Sequence, residues 1–252
     1  MTTVPELRTC RAVVFDTDGV ITDSARVHAA AWEEAFGTVP GLGPPFTRED
    51  YRRYVDGKSR LDGAAAFLDA RGAGLPAGGP EDGPGTGSVH AVAARKEQAF
   101  VRLLDERGAE VFPGTVRLLA ALTRARVRCA AVSASRHARD LLRNAGVLPS
   151  LRTVVDGNDA ARLGLPGKPD PALFLEAARR LGVPAAATAV VEDAPAGVEA
   201  GRRGGFALVV GVDRSAHGEG AADLRRGGAD LVVPDPGDLL GGDPPGGGGE
   251  TR

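Results

Sequence analysis

Cysteine and lysine are scarce in this chain, and it has neither a charge surplus nor a long apolar run. Two cysteines in 252 residues, Cys10 and Cys129, cannot build a disulfide framework. Each is expected as a small buried side chain beside a strand. No apolar run approaches the roughly 18–20 residues of a transmembrane helix, so no membrane partner is expected. Pro5 and Glu6 interrupt the N-terminus before a basic-then-apolar signal peptide could form, and a soluble cytoplasmic protein is the expectation. With Lys+Arg 31 against Asp+Glu 33, the net charge of −2 offers no cationic surplus for nucleic acid. Among the 31 basic residues only Lys58, Lys96 and Lys168 are lysines. Where arginine serves for general surface charge, a surviving lysine marks a place that needs a compact ammonium on a flexible stem.

What is present suits a globular domain. The length is about 1.7 typical domains, and 42% hydrophobic against 25% charged residues is enough to bury a sizeable core. Short apolar runs at 12–15, 130–132, 153–155, 189–191, 207–210 and 231–233 read as buried strands. Helical patterns over 115–125, 138–145, 171–181 and 195–204 alternate with them. That rhythm predicts an α/β fold, a Rossmann-like doubly wound parallel sheet with right-handed crossovers. Residues 26–109 break the rhythm. Helices over 25–36, 48–55, 61–71 and 89–107, with no convincing strand, predict an inserted all-helical cap domain on a core of 1–25 and 110–240. Within the cap, the Gly- and Pro-rich stretch 72–87 is expected to be disordered or linker-like. The tail 241–252, with its four consecutive glycines, is expected to be disordered too.

Open parallel sheets gather ligands at the carboxyl ends of their strands. Residues there are Asp16, Asp18 and Gly19 after the first strand, Ser133 after the second, and Glu192 and Asp193 after the fourth. Lys168 lies in the loop after the third. Clustered carboxylates repel one another unless a cation joins them. An all-oxygen set without His or Cys points to a hard ion such as Mg²⁺ and to an anionic ligand.

These motifs resemble those of the haloacid dehalogenase superfamily. Phe15-Asp16-Thr17-Asp18-Gly19-Val20 is similar to its first motif and Ser133 to its second. Lys168, in Gly167-Lys168-Pro169, matches the third, and Glu192-Asp193 the fourth. The resemblance covers nearly the whole chain. It implies that Asp16 attacks a phosphoryl group and becomes an aspartyl phosphate, while Asp18 is general acid and then base. Ser133 and Lys168 would hold phosphate oxygens, and Mg²⁺ would sit on Asp16, Asp193, Glu192 and the Asp18 backbone carbonyl.

The run from Asp18 through Ser24, followed by His28 and Trp32, is similar to the beta-phosphoglucomutase branch. Gly57-Lys58-Ser59-Arg60 resembles the cap loop whose arginine grips a distal phosphate, and Lys96 falls where that branch has a cap lysine facing the substrate. Ser24, His28, Trp32, Gly57, Arg60, Lys96, Ser135 and Arg136 are therefore the expected substrate-binding residues. Two positions depart from the pattern. Asp56 stands where a lysine is expected, and Arg136-His137 replaces Lys-Asn. His90 and His217 belong to no motif and are expected at the surface. The resemblance implies a monomeric sugar-phosphate mutase, converting beta-glucose 1-phosphate to glucose 6-phosphate; the alternative is a sugar-phosphate phosphatase. A small phosphorylated sugar is the expected partner.

Overall fold

The first motif begins on a strand, Ala12–Asp16, in which all five residues are buried. Only a central strand of a parallel sheet is covered on both faces in this way. The computed structural model describes residues 2–3, 5–215 and 218–241. His217, and the tail apart from Gly241, lie outside the described residues.

Along the chain, β1 (Thr2–Thr3) and α1 (Pro5–Arg8) precede this strand, β2. The helical insertion holds α2 (Ala25–Gly37), α3 (Arg48–Asp50) continued by a π turn over Tyr51–Val55, α4 (Arg60–Ala70) and α5 (Val89–Arg107). Then come α6 (Pro113–Arg124), β3 (Arg128–Val132), α7 (Ala138–Asn144), β4 (Thr153–Val155), α8 (Gly157–Leu163) and α9 (Ala172–Leu181). The chain continues through β5 (Thr188–Glu192), α10 (Pro195–Arg203), β6 (Leu208–Val212), α11 (Ala221–Gly227), β7 (Leu231–Val233) and β8 (Leu240–Gly241). Strands β1 and β8 form a small antiparallel pair. The other six make one parallel sheet in the order β4-β3-β2-β5-β6-β7.

Side chains alternate across this sheet, as a two-residue period requires. Val13 and Phe15 join Leu118, Leu119 and Leu142 on one face. Ala12 and Val14 join Leu173, Phe174 and Val198 on the other. Burying each large apolar side chain contributes about 1.5–3 kcal/mol, so both helical layers are held by hydrophobic contact. After β4 the chain crosses to the opposite side of β2. That reversal opens the crevice where such sheets bind ligands.

The insertion has its own core, built from Trp32, Phe36, Phe67, Leu68 and Val92. Its two connections to the sheet lie side by side. Asp23 donates its N–H to Glu110 O at 2.8 Å, and Phe112 donates to Ile21 O at 3.0 Å. A further cluster of Val27, Ala31, Phe100 and Leu103 packs on Leu141 of α7, seating the cap on the core.

Helices α1, α8 and α11 and the β1–β8 pair, which takes in Gly241 of the expected disordered tail, are absent from the sequence reading, and residues 72–87 differ from it as well. Residues 72–87 form no helix or strand, but they are folded back onto the cap rather than left as a free linker. Val89 and His90 donate to Pro76 O and Ala77 O, Asp82 accepts from Gly79 N–H and the Ser88 hydroxyl, and Leu75 packs on the cap core. The reason is local. Asp82 supplies the acceptors that a chain rich in Gly and Pro cannot supply from a helix of its own. Helix α8, absent from the reading, starts at Asp156, whose carboxylate accepts from Asn158 and Asp159 N–H at 3.0 Å each. Among the described residues no helix is long and apolar enough to cross a membrane.

Candidate active site

Five loops at the carboxyl edge of the sheet and one face of the cap converge on Asp16. Register aligns the strand ends that matter: Asp16 pairs with Val132, one residue before Ser133, and Phe15 pairs with Val191, one before Glu192. The first loop is tightened by the Thr17 hydroxyl donating to Val132 O at 3.0 Å and by Gly19 N–H donating to Thr22 O at 2.8 Å. Gly19 has φ +86°, and a Cβ there would lie 1.8 Å from Asp193 Oδ2. No other residue type lets the Asp193 carboxylate approach that loop so closely.

Lys168 is 2% exposed. Its ammonium donates to Asp16 Oδ1 at 2.5 Å and to Glu192 Oε2 at 2.9 Å. Asp16, Glu192 and Asp193 each bring a carboxylate oxygen within 4.8 Å of the others. Burial and the Glu192 charge push Asp16 up, with Lys168 pulling against them. Burial, followed by the charges of Asp56 and Glu192, pushes Asp193 up. Two buried acids and a half-buried third facing one ammonium leave negative charge uncompensated, and all the donors are oxygens. The set therefore fits a hard divalent cation.

Asp18 lies on the other side of the loop. Its Oδ1 accepts from the Ser24 hydroxyl at 2.5 Å and its Oδ2 from the Ser133 hydroxyl at 2.8 Å. His28 Nε2 stands 3.4 Å from Oδ1. Burial opposes ionisation, but His28 and the two hydroxyls outweigh it and hold Asp18 below the usual carboxylate range. Lys96, in the cap, is 4% exposed rather than solvated, and its Nζ lies 2.8 Å from His28 Nδ1. Loss of solvation pushes this lysine down to about 8, and burial followed by the Lys96 charge pushes His28 down as well. A neutral His28 accepting at Nδ1 satisfies the Lys96 contact, and its Nε2 faces Asp18 without closing a hydrogen bond.

The remaining expected residues divide. Ser135 N–H donates to Ser133 Oγ, and Ser135 Oγ accepts from His137 N–H. Gly57, with φ +69°, sits so close to the fourth-motif loop that a Cβ would be 2.9 Å from Ala194 Cβ. Arg60 opens α4 and pairs with Glu97 at 2.7 Å. Trp32 is a different case: it is 4% exposed, stacks on Phe36 at 4.8 Å and lies 5.5 Å beneath the Lys96 ammonium. It supports that lysine from the cap core. Arg136 is exposed, and among the described residues its side chain makes no ion pair or hydrogen bond; its neighbour His137 turns toward the cap instead, 2.5 Å from Glu97. His90 is half-buried and apart from the site.

Four contributors were not singled out as site residues from the sequence. Asp56 faces the acidic cluster from the cap, and loss of solvation with the Asp16 charge pushes it up to about 7. Its replacement of an expected lysine was the available signal. Glu97 adjoins Lys96, and His137 adjoins Arg136. Arg214 donates to Gly19 O at 3.0 Å and pairs with Asp235 at 2.8 Å, and no local pattern marks so distant a contact.

Residues 10–205 match the family model described as haloacid dehalogenase-like hydrolase. The chain is 42% identical over 239 residues to a beta-phosphoglucomutase of Mycobacterium bovis, with 91% of each chain covered. It is 34% identical over 230 residues to a beta-phosphoglucomutase of Bacillus subtilis, again over 91% of each. A solved beta-phosphoglucomutase from Clostridium difficile superposes with a TM-score of 0.73 at 25% identity, covering 91% of this chain and 93% of that one.

Proposed function

The chain belongs to the haloacid dehalogenase-like hydrolase family, and from that premise we propose that it is a magnesium-dependent sugar-phosphate mutase. It would convert beta-glucose 1-phosphate to glucose 6-phosphate through an aspartyl phosphate on Asp16. The observation that carries the choice of a mutase is the chain of contacts from Lys96 through His28 to Asp18. It links the cap to the acid–base residue, so proton transfer and exclusion of water would be set by the same movement.

Asp16, Asp193, Glu192 and the Asp18 carbonyl would hold Mg²⁺, which would neutralise charge on the transferring phosphoryl group. Lys168 keeps the nucleophilic carboxylate and the phosphate together. With Asp16 phosphorylated, the ionised Asp18 accepts the proton of a sugar hydroxyl as that oxygen attacks phosphorus and the bond to Asp16 breaks. The resulting bisphosphate turns, Asp16 attacks its other phosphate, and Asp18 returns the proton to the departing oxygen. Arg60 would grip the phosphate that is not reacting. All these residues come from one chain, so a monomer suffices.

A phosphatase is the second reading. A cleft of about 1190 Å³ between cap and core reaches Gly19, Asp56 and Asp193, a route by which water could arrive. The test follows glucose 6-phosphate and inorganic phosphate from beta-glucose 1-phosphate, with and without a hexose bisphosphate primer. Primer-dependent isomerisation exceeding phosphate release supports the mutase; primer-independent phosphate release alone rejects it.

A further inference from the structure

The carboxylate of Glu97 serves two parts of the molecule at once. Its Oε2 pairs with Arg60 of α4 at 2.7 Å. Its Oε1 meets Nε2 of His137 at 2.5 Å. Glu97 and Arg60 belong to the cap, whereas His137 caps α7 of the core. The contact to His137 can therefore exist only while the cap is seated. Arg60 spends one nitrogen on Glu97 and, among the described residues, has no other ion pair or side-chain hydrogen bond. Its guanidinium is thus oriented while its remaining donors stay available for an anion.

The two neighbours Lys96 and Glu97 on α5 reach the same aspartate by different routes. Lys96 touches His28, which faces Asp18 Oδ1. Glu97 touches His137, whose N–H donates to Ser135 Oγ. Ser135 N–H then donates to Ser133 Oγ, and that hydroxyl donates to Asp18 Oδ2. Phe100 closes the arrangement, stacked on His28 at 4.0 Å and set against the His137 ring at 5.6 Å. Arg136-His137 is also where this chain departs from the pattern of the branch it resembles, so the second route depends on this sequence's own choice.

We propose that Glu97 and His137 are positioning residues that form a cap–core clasp, aiming Arg60 at the second phosphate and setting how the aspartyl phosphate divides between sugar and water. This rests on the mutase reading for its consequence but not for the clasp itself. In either outcome the bond from phosphorus to Asp16 breaks, a bond to the acceptor oxygen forms and Asp18 takes the acceptor's proton. The clasp would decide which acceptor is present.

Two measurements separate the claims. In the ligand-free protein, amide hydrogen exchange is followed in residues 57–60 and 135–137 for Glu97→Ala, His137→Ala and the double variant. Each single change should speed exchange on both sides of the cleft at least fivefold, and the double variant should add nothing. Effects confined to one side, or additive effects, overturn the clasp. With beta-glucose 1-phosphate and primer, Glu97→Ala should release at least tenfold more inorganic phosphate per isomerisation than the wild type. His137→Gln, which keeps a donor toward Glu97, should restore most of what His137→Ala loses. An unchanged ratio in a folded Glu97→Ala overturns the positioning role. A wild type that never isomerises, yet shows coupled exchange, rejects the mutase and leaves the clasp standing.

Discussion

Asp16 and Asp18 are two residues apart and differ in every physical respect that matters. Asp16 is buried against Lys168 and two further acids, whereas Asp18 accepts two hydroxyl hydrogen bonds beside an imidazole. Asp16→Asn should abolish hydroxylamine-labile incorporation of phosphate into the protein, because an amide oxygen is a poor nucleophile. Asp18→Asn should still bind substrate but lose turnover by on the order of 10²–10⁴-fold. Equal, mild losses from both would contradict the assigned roles. Lys96 makes a pH prediction with a definite sign. Burial pushes it down to about 8, so in the free enzyme it is charged below that pH and neutral above. The value of kcat/KM, which follows the free enzyme, should fall as pH rises through about 8, and Lys96→Gln should remove that limb. A limb that persists in the variant would assign it elsewhere.

The elements show why some of this was legible. Strands such as Ala189-Val190-Val191 are buried on both faces, so their continuous apolar runs stand out, and the motif acids follow directly from where each run stops. Helix α8 has seven residues and gains its start from the Asp156 cap, too little periodicity to detect. Trp32 shares a helix face with His28, as their four-residue spacing implies. Spacing alone does not reveal that this part of the face turns into Phe36 and the cap core. Glu97 and His137 are 40 residues apart and meet only because the cap seats on α7. Gly57 is the most local test of that seating. Gly57→Ala would put a side chain at φ +69° and 2.9 Å from Ala194 Cβ. The left-handed backbone alone costs about 1–2 kcal/mol, equivalent to a fall in Tm of about 2–8 °C at this size. Calorimetry checks this, and a Tm within 1 °C of wild type would show that the turn relaxes freely.

At the scale of the whole molecule, the sheet supplies Asp16 with Lys168 and the acidic cluster, while the insertion supplies Arg60, Lys96 and Glu97. On the proposed mechanism, neither part alone would decide the fate of a phosphorylated Asp16. In the proposed mutase, water and a sugar hydroxyl would compete for the same phosphorus, and remote binding energy from the second phosphate would favour the sugar. The most direct measurement is a single-turnover partition. Protein labelled on Asp16 by a radioactive acyl phosphate in the presence of Mg²⁺ is mixed with beta-glucose 1-phosphate, and label is counted in sugar and in free phosphate. Wild type should deliver most of the label to sugar, and Arg60→Ala should shift the ratio toward free phosphate by more than tenfold, about 1.4 kcal/mol. Label appearing chiefly as free phosphate from the wild type, or a ratio that Arg60→Ala changes by less than threefold, would contradict the mutase.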